Sequence, residues 1–298
     1  MPQPRKRFAQ HWLQDVSVHT AIVAAAELPS PPPAELSILE IGPGRGQLTE
    51  HLLQTGARVI AVELDRDLCQ HLQRSLGSHP GFQLIEADFL RMQIPPQATL
   101  LVANIPYNIT SPILSKVLGS PEQPVTQFQR LVLLLQREVA ERLQAQPGSK
   151  TYGAMSVRIQ YLADCELIRI VPPQAFYPKP KVDSAVIRLR PRPWPLQAED
   201  PRWFSTLVQQ GFATRRKKLV NCLQSLVDKH KVLEVLAHLH LDPNCRAEQL
   251  GLNDWIHLSN HLMGHRLSPA REPSADLTPS ESPVGADRET RQKEHSPH

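Results

Sequence analysis

Short apolar runs punctuate the first half of the chain at residues 36–41, 58–63, 82–86, 100–103 and 130–136, and each predicts a strand. Between them, apolar positions recur at helical spacing near 46–54, 66–76 and 111–118. Strands separated by single helices predict parallel pairing through right-handed crossovers. A helix near 155–162 and strand patterns at 167–171 and 185–189 extend the series to seven strands. The expected fold is therefore α/β, a seven-stranded, doubly wound, Rossmann-like sheet. Ahead of it, an arm over residues 1–15 leads into a helix near 16–28, which Pro29-Ser30-Pro31-Pro32-Pro33 ends.

Pro191-Arg192-Pro193-Trp194-Pro195 forms a stiff break, and past it the strand alternation stops. Residues 203–212, 218–227, 232–239 and 255–262 read instead as amphipathic helices. The predicted organisation is an α/β domain with its arm over 1–195, a small all-helical domain over 196–265 and a tail over 266–298. The tail is rich in Ser, Pro and mixed charge and poor in large apolar side chains. It cannot offset its ordering entropy and is expected to be disordered.

The 298 residues are 41% hydrophobic, enough for sizeable cores. No apolar run approaches the ~20 residues of a bilayer span. The N-terminus is basic but lacks the apolar segment of a secretion signal. Cys69, Cys165, Cys222 and Cys245 stand singly, without metal-ligand spacing, so reduced thiols and no metal are expected. These features together predict a cytoplasmic protein with no membrane contact. The net charge of +4 is mild, but two clusters concentrate it: Arg5-Lys6-Arg7 and Arg215-Arg216-Lys217-Lys218. Both are candidates to grip the phosphates of a polyanion such as RNA.

Four strand ends carry polar residues suited to a ligand. Glu40-Ile41-Gly42-Pro43-Gly44-Arg45-Gly46 follows one strand and opens a helix, so that backbone can approach a ligand closely. Glu63 closes the next strand about 20 residues on, where an acid in nucleotide-binding folds takes ribose hydroxyls. Asp88 and Asn104 end the third and fourth strands. In an open parallel sheet all four fall on the ligand-binding edge. Glycine loop and acid together point to an adenosyl ligand without deciding which, and NAD fits them equally.

Asn104-Ile105-Pro106-Tyr107 points to the chemistry. Adenine N6 is a poor nucleophile because its lone pair is delocalised into the ring. A catalyst for it needs two acceptors aimed at the amine hydrogens and a flat face for the base. Asn104 offers a side-chain carbonyl oxygen, and the Ile105 peptide carbonyl, held by Pro106, offers a second. Tyr107 supplies the face.

With these motifs the chain resembles the ribosomal RNA adenine N6,N6-dimethyltransferase family, in its bacterial small-subunit branch, from about Arg5 to about Leu262. The likeness is carried by Arg7-Phe8-Ala9-Gln10-His11-Trp12-Leu13, by the glycine loop, and by Asn104-Ile-Pro-Tyr-Asn-Ile-Thr-Ser-Pro-Ile-Leu114. Gln136-Arg-Glu-Val-Ala-Glu-Arg142, Tyr152-Gly153, Phe176-Tyr-Pro-Lys-Pro-Lys-Val-Asp-Ser184 and Arg215-Arg216-Lys217 with Asn221 follow in the family's order. The resemblance implies S-adenosylmethionine as donor, contacted by His11, Leu13, Gly42, Gly44, Glu63, Asp88 and Asn104. It implies that Asn104, Ile105, Pro106, Tyr107 and Phe176 hold the target base, Tyr107 and Phe176 by stacking. The implied substrate is a pair of adjacent adenosines in a hairpin near the 3′ end of small-subunit ribosomal RNA, each dimethylated by a monomeric enzyme on a partly assembled 30S particle. Two arm positions depart from the family, Ala9 where it usually has Gly and Trp12 where it usually has Phe. A large-subunit RNA methyltransferase of the antibiotic-resistance kind, a non-catalytic assembly factor on the same fold and an NAD oxidoreductase are the rival readings.

Overall fold

A computed structural model describes residues 10–267. In chain order its elements are β1 (Trp12–Leu13), α1 (Val16–Ala25), β2 (Ser37–Ile41), α2 (Gln47–Leu53), β3 (Arg58–Glu63), α3 (Arg66–Leu76), β4 (Phe82–Glu86), β5 (Leu100–Asn104) and α4 (Thr110–Leu118). A small hairpin of β6 (Gly119–Ser120) and β7 (Gln123–Pro124) precedes β8 (Arg130–Gln136). Then come α5 (Arg137–Leu143), α6 (Ala154–Leu162), β9 (Ala163–Val171), β10 (Phe176–Tyr177) and β11 (Ser184–Pro191). The described residues close with α7 (Pro201–Gly211), α8 (Leu219–Leu223), α9 (Lys229–His238) and α10 (Leu252–Leu262). Their elements are not long and apolar enough to place a helix across a membrane.

Seven strands form one sheet in the order β4-β3-β2-β5-β8-β11-β9. The first five pair in parallel, as single-helix crossovers require. β11 is antiparallel to both neighbours, so it alone runs against the rest. The parallel expectation therefore stops at β11. The reason is its connection: residues 172–183 carry no crossover helix, and a strand returning directly from β9 must run the other way.

The two-residue period of the strands divides the core in two. Ile38, Val59, Leu100, Val102, Val132, Leu134 and Val186 face α1, α2 and α3. Leu39, Ile41, Ile60, Val62, Leu101, Leu131, Leu133 and Ile187 belong to the opposite face, with Ile113 and Val117 of α4 and Val157 of α6. That second core runs on through Tyr161 and Trp203 to Leu223, Trp255 and Leu258, so the C-terminal helices share it. The helix predicted over 218–227 is shorter, and Arg215, Arg216 and Lys217 lie on the turn ahead of α8.

Candidate active site

The strand order reverses between β2 and β5, and a pocket of about 240 Å³ opens at that point. Gly42, Gly44, Glu63, Asp88, Asn104, Ile105, Pro106 and Tyr107 line it, and His11 reaches it from the arm. The strand ends thus bring together most of the residues expected there. Ile41, Val62, Ala87, Phe89 and Leu90 add apolar wall.

The glycine loop is built for close approach. Gly42 lies at φ 65° and Gly46 at φ 85°, conformations that L side chains rarely adopt. A Cβ at Gly42 would meet nothing within 4 Å, so the backbone there borders open ligand space. A Cβ at Gly46 would come within 2.8 Å of Leu72 Cδ2.

Glu63 organises the floor. Its Oε2 accepts from Gly44 N at 3.2 Å, and its Oε1 accepts from Leu64 N at 2.8 Å and Asp65 N at 2.9 Å. A carboxylate has about four lone-pair sites, so one remains for a ligand hydroxyl. Burial raises its pKa, against the three backbone donors that favour the charged form. Asp88 accepts from Leu90 N through Oδ1 at 2.9 Å and lies 3.5 Å from Arg91 through Oδ2.

Asn104 is oriented by the arm. Its Nδ2 donates to the His11 carbonyl at 3.1 Å, which leaves Oδ1 as the group presented to the pocket. The Ile105 amide is spent on Leu134 O at 3.0 Å, while the Ile105 carbonyl takes no hydrogen bond from the described residues. Neither of the two oxygens singled out in the sequence, Asn104 Oδ1 and the Ile105 carbonyl, accepts a hydrogen bond from the described residues. Tyr107 opens a single 3-10 turn, and the His11 ring stacks on it at 5.6 Å with a 22° tilt. His11 Nδ1 donates to Pro178 O at 2.7 Å.

The arm closes the site through β1, which pairs with β10 in the register Trp12↔Tyr177 and Leu13↔Phe176. The larger Trp12 ring is accommodated against Gly44, where a Cβ would sit 3.1 Å from it, and the Arg45 guanidinium lies 4.3 Å from its centroid.

Two expected residues lie elsewhere. Phe176 does not line the pocket: it is 2% exposed and packs in the core with Val171 and Ala175. Successive side chains of a strand point to opposite faces, so β10 turns Phe176 inward and leaves Tyr177, 51% exposed, outside. The proline loop therefore does not project Phe176 at a base. Leu13 is buried in the same core and touches only a small chamber behind the arm. Among the basic residues, Arg215 donates to Lys150 O at 2.6 Å and Lys218 to Asn244 at 2.7 Å. Arg216 and Lys217 are exposed and make no ion pair among the described residues. Arg5, Lys6, Arg7 and the tail from 268 lie outside the described residues.

Glu40 opens the glycine-loop motif, where the sequence assigns it no role of its own. It is 1% exposed, lines the chamber behind the arm, and its Oε2 has no hydrogen-bond partner. An acid inside an otherwise apolar strand was the available signal. Burial, with the Glu63 charge adding to it, raises its pKa from 4.5 to about 8. Between those values the folded chain keeps a proton that the unfolded chain has lost. The stability linked to this group is full below the unfolded value and is lost as pH rises through the folded one. We expect Glu40→Gln to flatten the fall in unfolding free energy over that range in urea titrations. A wild-type slope in the variant would mean that Glu40 folds ionised.

Comparison with known proteins accounts for this assembly. The family model "Ribosomal RNA adenine dimethylase" matches residues 1–263. "Ribosomal RNA small subunit methyltransferase A" of Synechococcus sp. (strain JA-3-3Ab) is 62% identical over 263 residues, covering 88% of this chain and 94% of that protein. Its namesake from Acaryochloris marina is 52% identical over 270 residues, covering 88% and 98%. Among solved structures, a dimethyladenosine transferase from Plasmodium falciparum superposes with TM-score 0.71 at 25% identity, covering 86% of this chain and 99% of that one. The 23S ribosomal RNA methyltransferase ErmE gives 0.68 at 27% identity, covering 85% and 99%. The family model over residues 1–263 and a relative 62% identical over 88% of this chain place it in the ribosomal RNA adenine dimethylase family.

Proposed function

We propose that the chain dimethylates N6 of two adjacent adenosines in a hairpin near the 3′ end of small-subunit ribosomal RNA, acting as a cytoplasmic monomer on a partly assembled particle. The observation that carries this reading is the state of Asn104. With one amide hydrogen given to the His11 carbonyl, its oxygen and the Ile105 carbonyl form the pair of acceptors that an aromatic amine requires.

The pocket suits the donor, S-adenosylmethionine. The remaining lone pair of Glu63 fits a ribose hydroxyl, Asp88 fits an adenine amine, the apolar walls fit a flat base, and the open side of Gly42 admits a ligand against backbone. When bound, the donor supplies an activated methyl group on a cationic sulfur. The chain's own residues do the rest. Asn104 Oδ1 and the Ile105 carbonyl draw the N6 hydrogens, pulling the nitrogen toward tetrahedral geometry and localising its lone pair. The same oxygens would stabilise the positive charge developing on N6 as its bond to the methyl group forms and the methyl–sulfur bond breaks, the sulfur leaving as a neutral thioether. Tyr107 would support the base and hold N6 facing the donor's methyl group, where near-attack distances are about 3–3.5 Å. The methylated nitrogen is acidic and loses its proton to solvent, so no side-chain base is needed.

A base within a helical stem cannot reach such a pocket, so the targets are loop adenines. Arg216 and Lys217 are free to meet phosphate. Changing either to Ala should weaken RNA binding and lower the salt slope of log affinity by about 1. An unchanged slope would return both to the solvated surface.

The decisive test is mass spectrometry of nucleosides after parallel incubations with under-methylated small subunits and under-methylated large subunits, each with labelled donor. N6,N6-dimethyladenosine in small-subunit RNA is the expected product. Label appearing only in large-subunit RNA would favour the activity named for ErmE.

A further inference from the structure

Because β11 runs against the other strands, its first residue lies at the same sheet edge as the last residue of β5. That residue, Ser184, is 0% exposed and clamped on both sides, opposite Gln136 on β8 and Val171 on β9. Its Oγ lies 2.5 Å from the Tyr107 hydroxyl, across 77 residues of sequence. The next three residues of the strand, Ala185, Val186 and Ile187, are apolar and fully buried. A buried hydroxyl is costly without a partner, and Ser184 meets that need with the Tyr107 phenol. The bond takes up the phenol, anchors the ring to a buried strand paired on both sides and leaves the pocket a ring of fixed tilt. A phenylalanine would stack equally well but would keep its freedom to rock.

That freedom matters unequally in the two transfers. Unmethylated N6 has two hydrogens, one for Asn104 Oδ1 and one for the Ile105 carbonyl. Monomethylated N6 has one, so an acceptor contact is gone and the stacking ring carries more of the orientation. Building on the reading of Tyr107 as the stacking platform, we propose that Ser184 is a positioning residue for the second methyl transfer. By holding the Tyr107 hydroxyl it governs how completely monomethyl product goes on to dimethyl product.

The test is a double-mutant cycle on the full chain with under-methylated small subunits, following N6-methyladenosine and N6,N6-dimethyladenosine separately by mass spectrometry. Tyr107→Phe and Ser184→Ala should each slow the second transfer roughly tenfold more than the first, so that monomethyl product accumulates. The double variant should do no more than either single change, because both remove the same bond. A wild-type product ratio in Tyr107→Phe, or additive effects in the double variant, would overturn the proposal. Should Ser184→Ala fail to fold, Tyr107→Phe alone decides, since it leaves the ring and the buried strand in place. Tyr107→Ala separates the layers: wild-type rates for both transfers would remove the stacking platform itself.

Discussion

Asn104→Ala is expected to lower kcat by about 10²–10³-fold, the range seen when one preorganised polar contact to a developing charge is removed. The residue combines two tasks. In the proposed reaction its oxygen is one of two acceptors for the target amine, and its Nδ2 donates to the His11 carbonyl of the arm at 3.1 Å. Alanine removes both, and no neighbour offers a replacement: the Ile105 amide is engaged with Leu134 O, and the Pro106 carbonyl accepts from Ile109 N at 3.1 Å. The arm keeps other anchors, including its pairing with β10 and the Gln14 N to Ala175 O bond at 2.8 Å. Donor affinity should therefore fall much less than turnover. Single-turnover rates and a donor titration separate the two effects. Activity within a few-fold of wild type would sink the acceptor role.

The opposite split is expected for Glu63→Gln. The carboxylate links three backbone amides of two loops, and glutamine keeps one acceptor oxygen while adding an NH₂. If the oxygen stays with Leu64 and Asp65, the NH₂ faces the Gly44 amide, donor against donor. The glycine loop then retreats from the pocket, and the lone pair offered to a ribose hydroxyl disappears. Loss of one charge-assisted bond together with this displacement should weaken donor binding about 100-fold, roughly 2.7 kcal/mol. The fold should survive, because burial works against the Glu63 charge and glutamine relieves that. Isothermal titration with S-adenosylmethionine beside thermal unfolding reads both quantities. Affinity within threefold of wild type would overturn the reading. So would a loss of binding matched by a collapse in melting temperature.

These two residues show what was legible beforehand. Glu63 and Asn104 end strands whose apolar runs are plain, and the C-terminal edge of a parallel sheet is a fixed place for ligands. The glycines of the loop carry the same kind of local signal, since Gly42 and Gly46 take backbone angles that other residues avoid. Local patterns set where strands begin and end, and so which residues share an edge.

Contacts between distant segments were not legible. Phe176 and Tyr177 are neighbours of similar character, and only the pairing of β10 with the arm decides which one is buried. Glu40 reads as part of a strand until packing closes around it. The Asn104 amide takes its orientation from a carbonyl 93 residues away, and the Tyr107 ring is held by a serine on the one strand that runs backwards.

What the amino-acid sequence determined by itself was the series of strands, the sheet edge they share and the chemistry gathered there, because periodicity, glycine and proline act within a few residues. Tertiary structure alone decided which aromatic of β10 is buried, how the Asn104 amide is oriented and that Glu40 is sealed from solvent. Burial and side-chain hydrogen bonding depend on what packing brings alongside, and neighbours in the sequence do not specify that.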